Sequence, residues 1–584
     1  MLKKVLYPLV LLALAYILFS SNDAKIIISG IAIFLIGMVF MEDGFKLFSG
    51  GILEKVLENS TNSVPKAIGT GFLATSIIQS SSLISIIIIS FLSAELISLA
   101  GAIGVVFGSN IGTTTTAWIV STFGVKIKIS AYAMPMIIFG VVFRFSKNKS
   151  YQGIGNVFVG LGFVFLGISY MKDGFETLKD GLDLAQFAME GYLGALVYIL
   201  LGAVATVVIQ SSSATMALII TALATNQILY INALELAIGA NIGTTVTAVI
   251  GALASNANGK RLAVAHFIFN MITGFIAIVF LYQLADLVTF LASKIGIGSE
   301  DYAMKLALFH TIFNIIGVLV VSPFTKYLVK FLEGLFLEKN TSELKAKYLD
   351  DVVIAVPDVA ITAVKKETIH LYENAVEVIS HALFLHRHKF LGTSDISEVV
   401  KSSKLNIQTD VNEFYSNKIK LLYGDIIHFS TLSQENMDNS QKDKIYDLKL
   451  ASRNIVEAIK DIRELQKNIF IYLKSKNTSI HDEYNNLRIN IANTIKTINE
   501  LKDVGDDIDV LSNLELLKEN INQLDNIRND RIDDLIRKNL IDSKMATSLI
   551  NDSSYAYNIS KKLIESASIL WIEDKDIQIL GEEK

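Results

Sequence analysis

Along the first 335 residues, apolar positions run in blocks that are too long and too even for an ordinary globular core. The stretch from Ala67 to Ala94 holds no charged residue at all. One helix across it would be roughly 42 Å long, against about 30 Å of bilayer hydrocarbon. Near its centre stand Gln79, Ser80, Ser81 and Ser82, flanked by isoleucines and a leucine. Two half-length arms that meet at this polar run fit the pattern as well as a single overlong helix. Backbone that leaves the helix at such depth is tolerated only where it is buried in protein or lines a cavity. A break at Gln79–Ser82 would therefore aim free N–H and C=O groups at whatever is bound there.

Beyond about Glu338 the pattern changes. Lys442–Lys474 and Asn485–Lys502 carry apolar residues at three- and four-residue spacing, with Lys, Glu and Asp between them, which predicts amphipathic helices. No proline follows Pro357, which suits an up-and-down bundle. The expected fold class is all-α: a polytopic membrane protein followed by a soluble helical bundle. The start, MLKKVLYPLVLLALAYILFS, resembles a signal peptide, but a second apolar segment (26–40) follows closely without a small-residue cleavage site. We expect a retained membrane helix. The expected segments are 1–29 (N-terminal membrane helix), 30–143 (first repeat), 144–154 (linker), 155–335 (second repeat and following helices) and 345–584 (soluble domain).

The apolar part is duplicated. FLIGMVFMEDGF (34–45) matches FLGISYMKDGF (165–175), and IIQSSS (77–82) matches VIQSSS (208–213). GSNIGTTTTA (108–117) matches GANIGTTVTA (239–248). Gln79 to Asn110 and Gln210 to Asn241 are both 31 residues apart. Repeats of this length in a membrane protein point to transporter architecture, with a site between related halves near the midplane. The linker Arg144–Lys149 is basic, as are Lys3, Lys4, Lys326 and Lys330. By the positive-inside rule these share the cytoplasmic face, which leaves the two repeats inverted relative to each other.

Composition and charge narrow the chemistry. The 584-residue chain has a mean hydropathy of +0.46 and no cysteine, so disulfides, thiolate metal sites and thiol catalysis are excluded. A net charge of −5 offers no electrostatic case for nucleic acid. Each QSSS supplies one amide and three hydroxyls. Neutral oxygens of this kind suit a hard cation, and hydroxyls with free helix-start N–H groups suit an oxyanion. Lone serines in a span more often glue helices together, but two copies at constant spacing argue for a paired site. Asn110, Thr113 and Thr114, with Asn241, Thr244 and Thr245, add amides and hydroxyls to it. No Arg or Lys accompanies these motifs, so an anion bound among them needs a co-bound cation. No base stands in the same segments to activate a serine nucleophile, so we expect no enzyme. His266 with Asn270 and His310 with Asn314 stand four apart, on one helix face, and read as helix-to-helix hydrogen bonding. Glu95 and Glu235 read as solvated residues near span ends.

Twin QSSS motifs, each followed by G-x-N-I-G-T-T, with HxxFN after the second repeat, resemble the type II sodium-dependent phosphate cotransporter family. The bacterial branch of that family often carries a C-terminal PhoU-like domain. The resemblance implies two inverted repeats with re-entrant hairpins, and inorganic phosphate and sodium bound between them by alternating access. By matching motif positions it implies a site at these residues, and within it we assign phosphate to Ser80, Ser81, Ser82, Ser211, Ser212, Ser213, Asn110 and Asn241. Sodium is assigned to Gln79, Gln210, Thr113, Thr114, Thr244 and Thr245. It further implies a multi-pass inner-membrane protein with a cytoplasmic C-terminal domain, and it admits a homodimer. PhoU-like domains often hold metals at E-x-x-x-D, which makes Glu457 and Asp461 candidate ligands for a divalent metal. A phosphate sensor that signals through the PhoU-like domain is the alternative function.

Overall fold

A computed structural model describes residues 12, 15–49, 56–57, 60–124, 130–179, 189, 191–252, 255–336, 346–392, 395–403 and 411–572. Of the expected N-terminal membrane helix, 1–29, residues 1–11, 13 and 14 lie outside them. All regular structure among the described residues is helical, and the chain divides into two units, Met1–Leu337 and Glu338–Lys584.

The first unit begins with α1 (Asn22–Ser49), α2 (Val64–Ile78), α3 (Ser81–Ser93) and α4 (Leu99–Ile119). It continues with α5 (Ser130–Arg144), α6 (Lys149–Lys179), α7 (Gly191–Ile209), α8 (Ser212–Ala224) and α9 (Tyr230–Ala252). Four more helices follow: α10 (Ala257–Val279), α11 (Leu281–Lys294), α12 (Tyr302–Val321) and α13 (Thr325–Leu335). Among the described residues, five stretches are long and apolar enough to cross a membrane: Asn22–Leu47, Lys149–Leu178, Tyr230–Ile250, Ala257–Val279 and Tyr302–Leu335. On α7, Leu193, Leu196, Leu200, Val204 and Val208 form an exposed apolar stripe, which water would penalise and hydrocarbon accepts.

Helices α1 and α6, which carry the matched MEDGF and MKDGF motifs, pack antiparallel. Gly30, Gly37 and Gly44 are spaced by seven residues, as are Gly153, Gly160 and Gly167. A Cβ on Gly37 would stand 2.6 Å from the Gly160 carbonyl oxygen, and one on Gly44 would stand 2.7 Å from that of Gly153. The contacts are reciprocal: Gly30 meets Gly167 and Met171, while its counterpart Gly160 meets Gly37 and Met41. Without a hydrophobic drive between helices in lipid, such close approach through small residues is what holds spans together.

The two QSSS segments break their helices in the same way. Gln79 has φ 63° and Gln210 has φ 56°, and Ser80 and Ser211 then return to extended backbone as N-caps of α3 and α8. A second matched pair, Glu95 and Asn226, turns the chain again with φ 53° and 57°. Glycine would enter the left-handed region at no steric cost, whereas glutamine pays about 1 kcal/mol; its side chain is therefore worth keeping. Gly104, Gly108 and Gly112 on α4 meet Ala67, Ile68 and Thr75 on α2, so α2 and α4 run parallel. The 13 residues of α3 carry the chain back between them. At roughly 20 Å this helix is shorter than the hydrocarbon core. Gly239 and Gly243, against Ile199 and Ala203, repeat the arrangement for α7 and α9.

The second unit contains α14 (Pro357–Ala382), α15 (Lys420–Ser433), α16 (Asn439–Tyr472), α17 (Thr478–Glu500), α18 (Asp507–Arg537) and α19 (Ser543–Trp571), with shorter helices between α14 and α15. The periodic segments noted in the sequence are α16 and α17. Asp438 and Gln441 form a capping box at the start of α16. Leu371, Ile455, Ile459, Ile491, Ile495 and Leu563 are fully buried between the long helices.

One buried acid makes this unit sensitive to pH. Asp552 on α19 is 1% exposed and accepts a hydrogen bond from the Tyr484 hydroxyl. Burial pushes its carboxyl up from 3.8 to about 6. The folded chain thus keeps a proton that the unfolded chain releases between those values. Stability from this group is greatest below the unfolded value and falls as pH rises through the window. Asp552→Asn is expected to remove that dependence and raise local stability at neutral pH by on the order of 2 kcal/mol. Hydrogen exchange of α19 at pH 5 and pH 7, corrected for intrinsic rates, reads both effects.

Candidate functional site

Both QSSS turns open onto one cavity of about 190 Å³ in the first unit, far above the roughly 10–15 Å³ that admits one water. Its walls include Gln79, Ser80, Ser81 and Ser82 from the first turn and Gln210, Ser211, Ser212 and Ser213 from the second. Thr206 and Thr244 complete the polar lining, with Leu35, Met38, Val39 and Glu42 from α1. Thr116 and Ser213 join the two repeats through a 3.2 Å hydrogen bond between hydroxyls. A smaller cavity of about 70 Å³ shares Ser81, Ser82 and Thr244 and is also lined by Ser85 and His266.

The repeats share a frame but differ in how their polar groups are engaged. In the first, Thr75 donates to the Ser109 hydroxyl at 2.8 Å. The Gln79 amide donates to Thr115 at 2.8 Å and accepts from Thr116 at 2.8 Å. Ser80 accepts from the Leu83 N–H at 3.2 Å and donates to Glu42 at 3.0 Å. In the second, the positions of Ser109, Thr115 and Glu42 are occupied by Ala240, Val246 and Lys172. The consequences follow directly. Thr206, the counterpart of Thr75, is fully buried, and its hydroxyl has no hydrogen-bond partner among the described residues. Gln210 is exposed to the cavity. Ser211 caps α8 by accepting from Ala214 N–H at 3.2 Å, and no hydrogen bond ties its proton to a carboxylate among the described residues. The first repeat is thus internally braced, while in the second Gln210 and Ser211 face the cavity.

The other predicted site residues stand beside the cavity. The Asn110 amide donates to the Val106 carbonyl at 2.8 Å and meets His266 Nε2 at 3.3 Å. The Asn241 amide donates to Asn270 and Asn314, each at 3.1 Å. The HxxFN asparagines and His266 therefore lock α10 and α12 onto the NIGTT helices. Thr113 and Thr245 return their hydroxyls to helix carbonyls at 2.9 and 2.7 Å. Thr114 does likewise at 2.7 Å and accepts from Thr311 at 3.1 Å. Thr244 alone of the NIGTT residues lines both cavities.

One sequence expectation is extended and one corrected. The motif segments carry no Arg, Lys or base of their own, but α1 brings Glu42 to Ser80 and Lys46 to Glu42 at 2.9 Å. The signal was present in the duplicated motif, where Glu42 faces a lysine at the matching position. Glu235 is not a solvated loop residue: it is 2% exposed on α9 and accepts from Asn232 at 2.9 Å.

In the second unit, Glu457 pairs with Arg453 at 2.8 Å, and Lys562 sits 3.5 Å from Glu457 and 2.9 Å from Asp461. The Arg453 hydrogen bond holds the Glu457 carboxyl below the usual range. Among the described residues no group of three His, Cys, Asp or Glu is gathered to hold a metal.

The comparisons with known proteins bear on the first unit above all. The model of the Na+/Pi-cotransporter family matches twice, at residues 33–173 and 184–323, once around each QSSS turn. The chain belongs to the Na+/Pi-cotransporter family. YjbB of Escherichia coli (strain K12), a protein named for inorganic phosphate export, is 25% identical over 464 residues, 77% of this chain and 83% of its own. That span exceeds the first unit, so the likeness continues into the second. YqeW of Bacillus subtilis is 29% identical over 53% of this chain and 97% of its own. Human sodium-dependent phosphate transport protein 2C is 39% identical over 85 residues, 14% of each chain. No solved structure matches. Family and apolar helices together make this a multi-pass membrane protein of a phosphate transporter family.

Proposed function

We propose that the chain is a sodium-coupled transporter of inorganic phosphate that works by alternating access. Phosphate lies in the cavity between the QSSS turns, held chiefly by Gln210 and Ser211. The observation that carries this reading is the charge of the lining: Glu42 is its one ionisable side chain among the described residues, and no Lys or Arg lines it. A phosphate there meets helix-start N–H groups and hydroxyls but no protein cation. Burying an unpaired anion costs several kcal/mol. Co-bound sodium removes that cost, and the adjoining cavity of Ser81, Ser82, Ser85 and Thr244 offers it hydroxyl oxygens.

The antiparallel, reciprocal packing of α1 and α6 supports inverted repeats. The short α3, returning between parallel α2 and α4, supports a re-entrant hairpin, and α7–α9 form its counterpart. In this reading the basic 144–149 segment lies on the cytoplasmic side, as does the second unit, a PhoU-like regulatory domain in the inner membrane's cytoplasmic shadow. Liposomes containing the purified chain separate transport from sensing. Labelled phosphate is expected to move down an imposed sodium gradient, in uptake and efflux arms that also read direction. Saturable binding without flux would make the protein a sensor.

A further inference from the structure

We propose that Glu42 is the specificity residue of the cavity. Its carboxylate receives the O–H of the bound oxyanion, so the site selects proton-bearing oxyanions such as phosphate and arsenate over sulfate. This rests on the phosphate reading of the cavity and names the chemistry by which the substrate is chosen.

The argument starts from the broken symmetry of the repeat. Met41, Asp43, Gly44 and Phe45 recur as Met171, Asp173, Gly174 and Phe175, but Glu42 is replaced by Lys172. Lys172 is not among the cavity-lining residues and sits 3.8 Å from Glu176. Glu42 lines the cavity, with one oxygen 2.9 Å from Lys46 and the other 3.0 Å from the Ser80 hydroxyl. A carboxylate paired with an ammonium is an acceptor only. Ser80 already accepts from Leu83 N–H, so its single proton is committed to Glu42. Beside the Ser81 and Ser82 hydroxyls, the first repeat therefore brings the cavity a fixed acceptor, whereas the second lines it with Gln210 and Ser211 and no carboxylate.

An oxyanion that satisfies both halves must carry a proton on the oxygen facing Glu42 and none on those facing Ser211. Inorganic phosphate near neutral pH has one or two O–H groups and bare oxygens besides. Sulfate has bare oxygens only, which would set lone pairs against lone pairs with no hydrogen between them. A site built to hydrogen-bond a substrate O–H rejects the analogue that lacks it, because its own polar group is left unpaired. A metal cation at Glu42 is the less favoured occupant, since the Lys46 ammonium already holds that carboxylate.

The test is competition against labelled phosphate on the purified full-length chain, with sulfate and arsenate as competitors. For the wild type, arsenate is expected to compete like phosphate and sulfate at least about 100-fold less well. In Glu42→Gln the amide carries N–H donors that sulfate can use, and the gap is expected to narrow at least about tenfold. Glu42→Asp keeps a carboxylate and is expected to retain the preference. A wild type that takes sulfate as readily as phosphate overturns the proposal without any variant. So does a Glu42→Gln chain with the wild-type ratio, or one whose sodium dependence alone changes. Equal loss of all oxyanions in that variant also overturns it, because Glu42 would then hold the fold rather than choose the ligand. A wild type that binds no oxyanion overturns the phosphate reading itself.

Discussion

Gly239→Ala is expected to abolish phosphate transport and to lower the thermal unfolding midpoint of the purified chain. Gly239 opens the second NIGTT motif on α9, and a Cβ there would fall well inside contact distance of the Ile199 carbonyl oxygen on α7. Gly108 stands at the matching place in the first repeat, against the Ile68 carbonyl of α2. The obstacle in each case is backbone, so no rotamer change relieves it. The two helices must part, at a cost near the upper end of overpacking, about 3 kcal/mol. The displacement is also functional, because α7 ends at Ile209, next to Gln210, and α9 carries Thr244 to the cavity wall. Gly69→Ala on α2 is the control: nothing lies within 4 Å of its Cβ position. Both transport and midpoint should survive it. Wild-type behaviour of Gly239→Ala would sink the close-packing account.

Ser211→Ala is expected to weaken phosphate binding by about 10- to 100-fold. The hydroxyl acts twice, as the cap of α8 and as a donor facing the cavity. Loss of the cap costs about 1 kcal/mol. A hydrogen bond to a charged oxygen is worth roughly 1.5–3 kcal/mol, and 1.4 kcal/mol is tenfold in affinity. Thr221 lies on the same helix but returns its hydroxyl to the Ala217 carbonyl at 2.7 Å. Thr221→Val should therefore leave the affinity unchanged. Equal loss in both variants would assign the effect to the helix rather than to the site.

Much of this arrangement was legible in the sequence because duplication is independent of tertiary contacts. The twin QSSS motifs, at one spacing from twin NIGTT motifs, marked two positions where the helices could break and paired them in one site. The soluble helices followed from their periodicity. Direction was harder to read. In an apolar span every face is apolar, so periodicity does not say which way Asn110, Asn241, Thr113, Thr114 or Thr245 points. The structure turns them to His266, Asn270, Asn314 and helix carbonyls. Glu42 escaped notice for a related reason: it lies 38 residues from Ser80 on another helix. The asymmetry of the repeats was written in the motifs themselves, as Ser109 against Ala240 and Thr115 against Val246. Its meaning emerged only once Thr75 and Gln79 were seen to use the partners that Thr206 and Gln210 lack.

The central claim is that phosphate binds between the QSSS turns and that sodium supplies the charge the protein withholds. Equilibrium binding of labelled phosphate to the purified chain, with sodium and with sodium replaced by choline, tests it most directly. The account predicts saturable binding at one site per chain in sodium, and affinity lower by at least about tenfold in choline. Equal affinity in sodium and choline would contradict it.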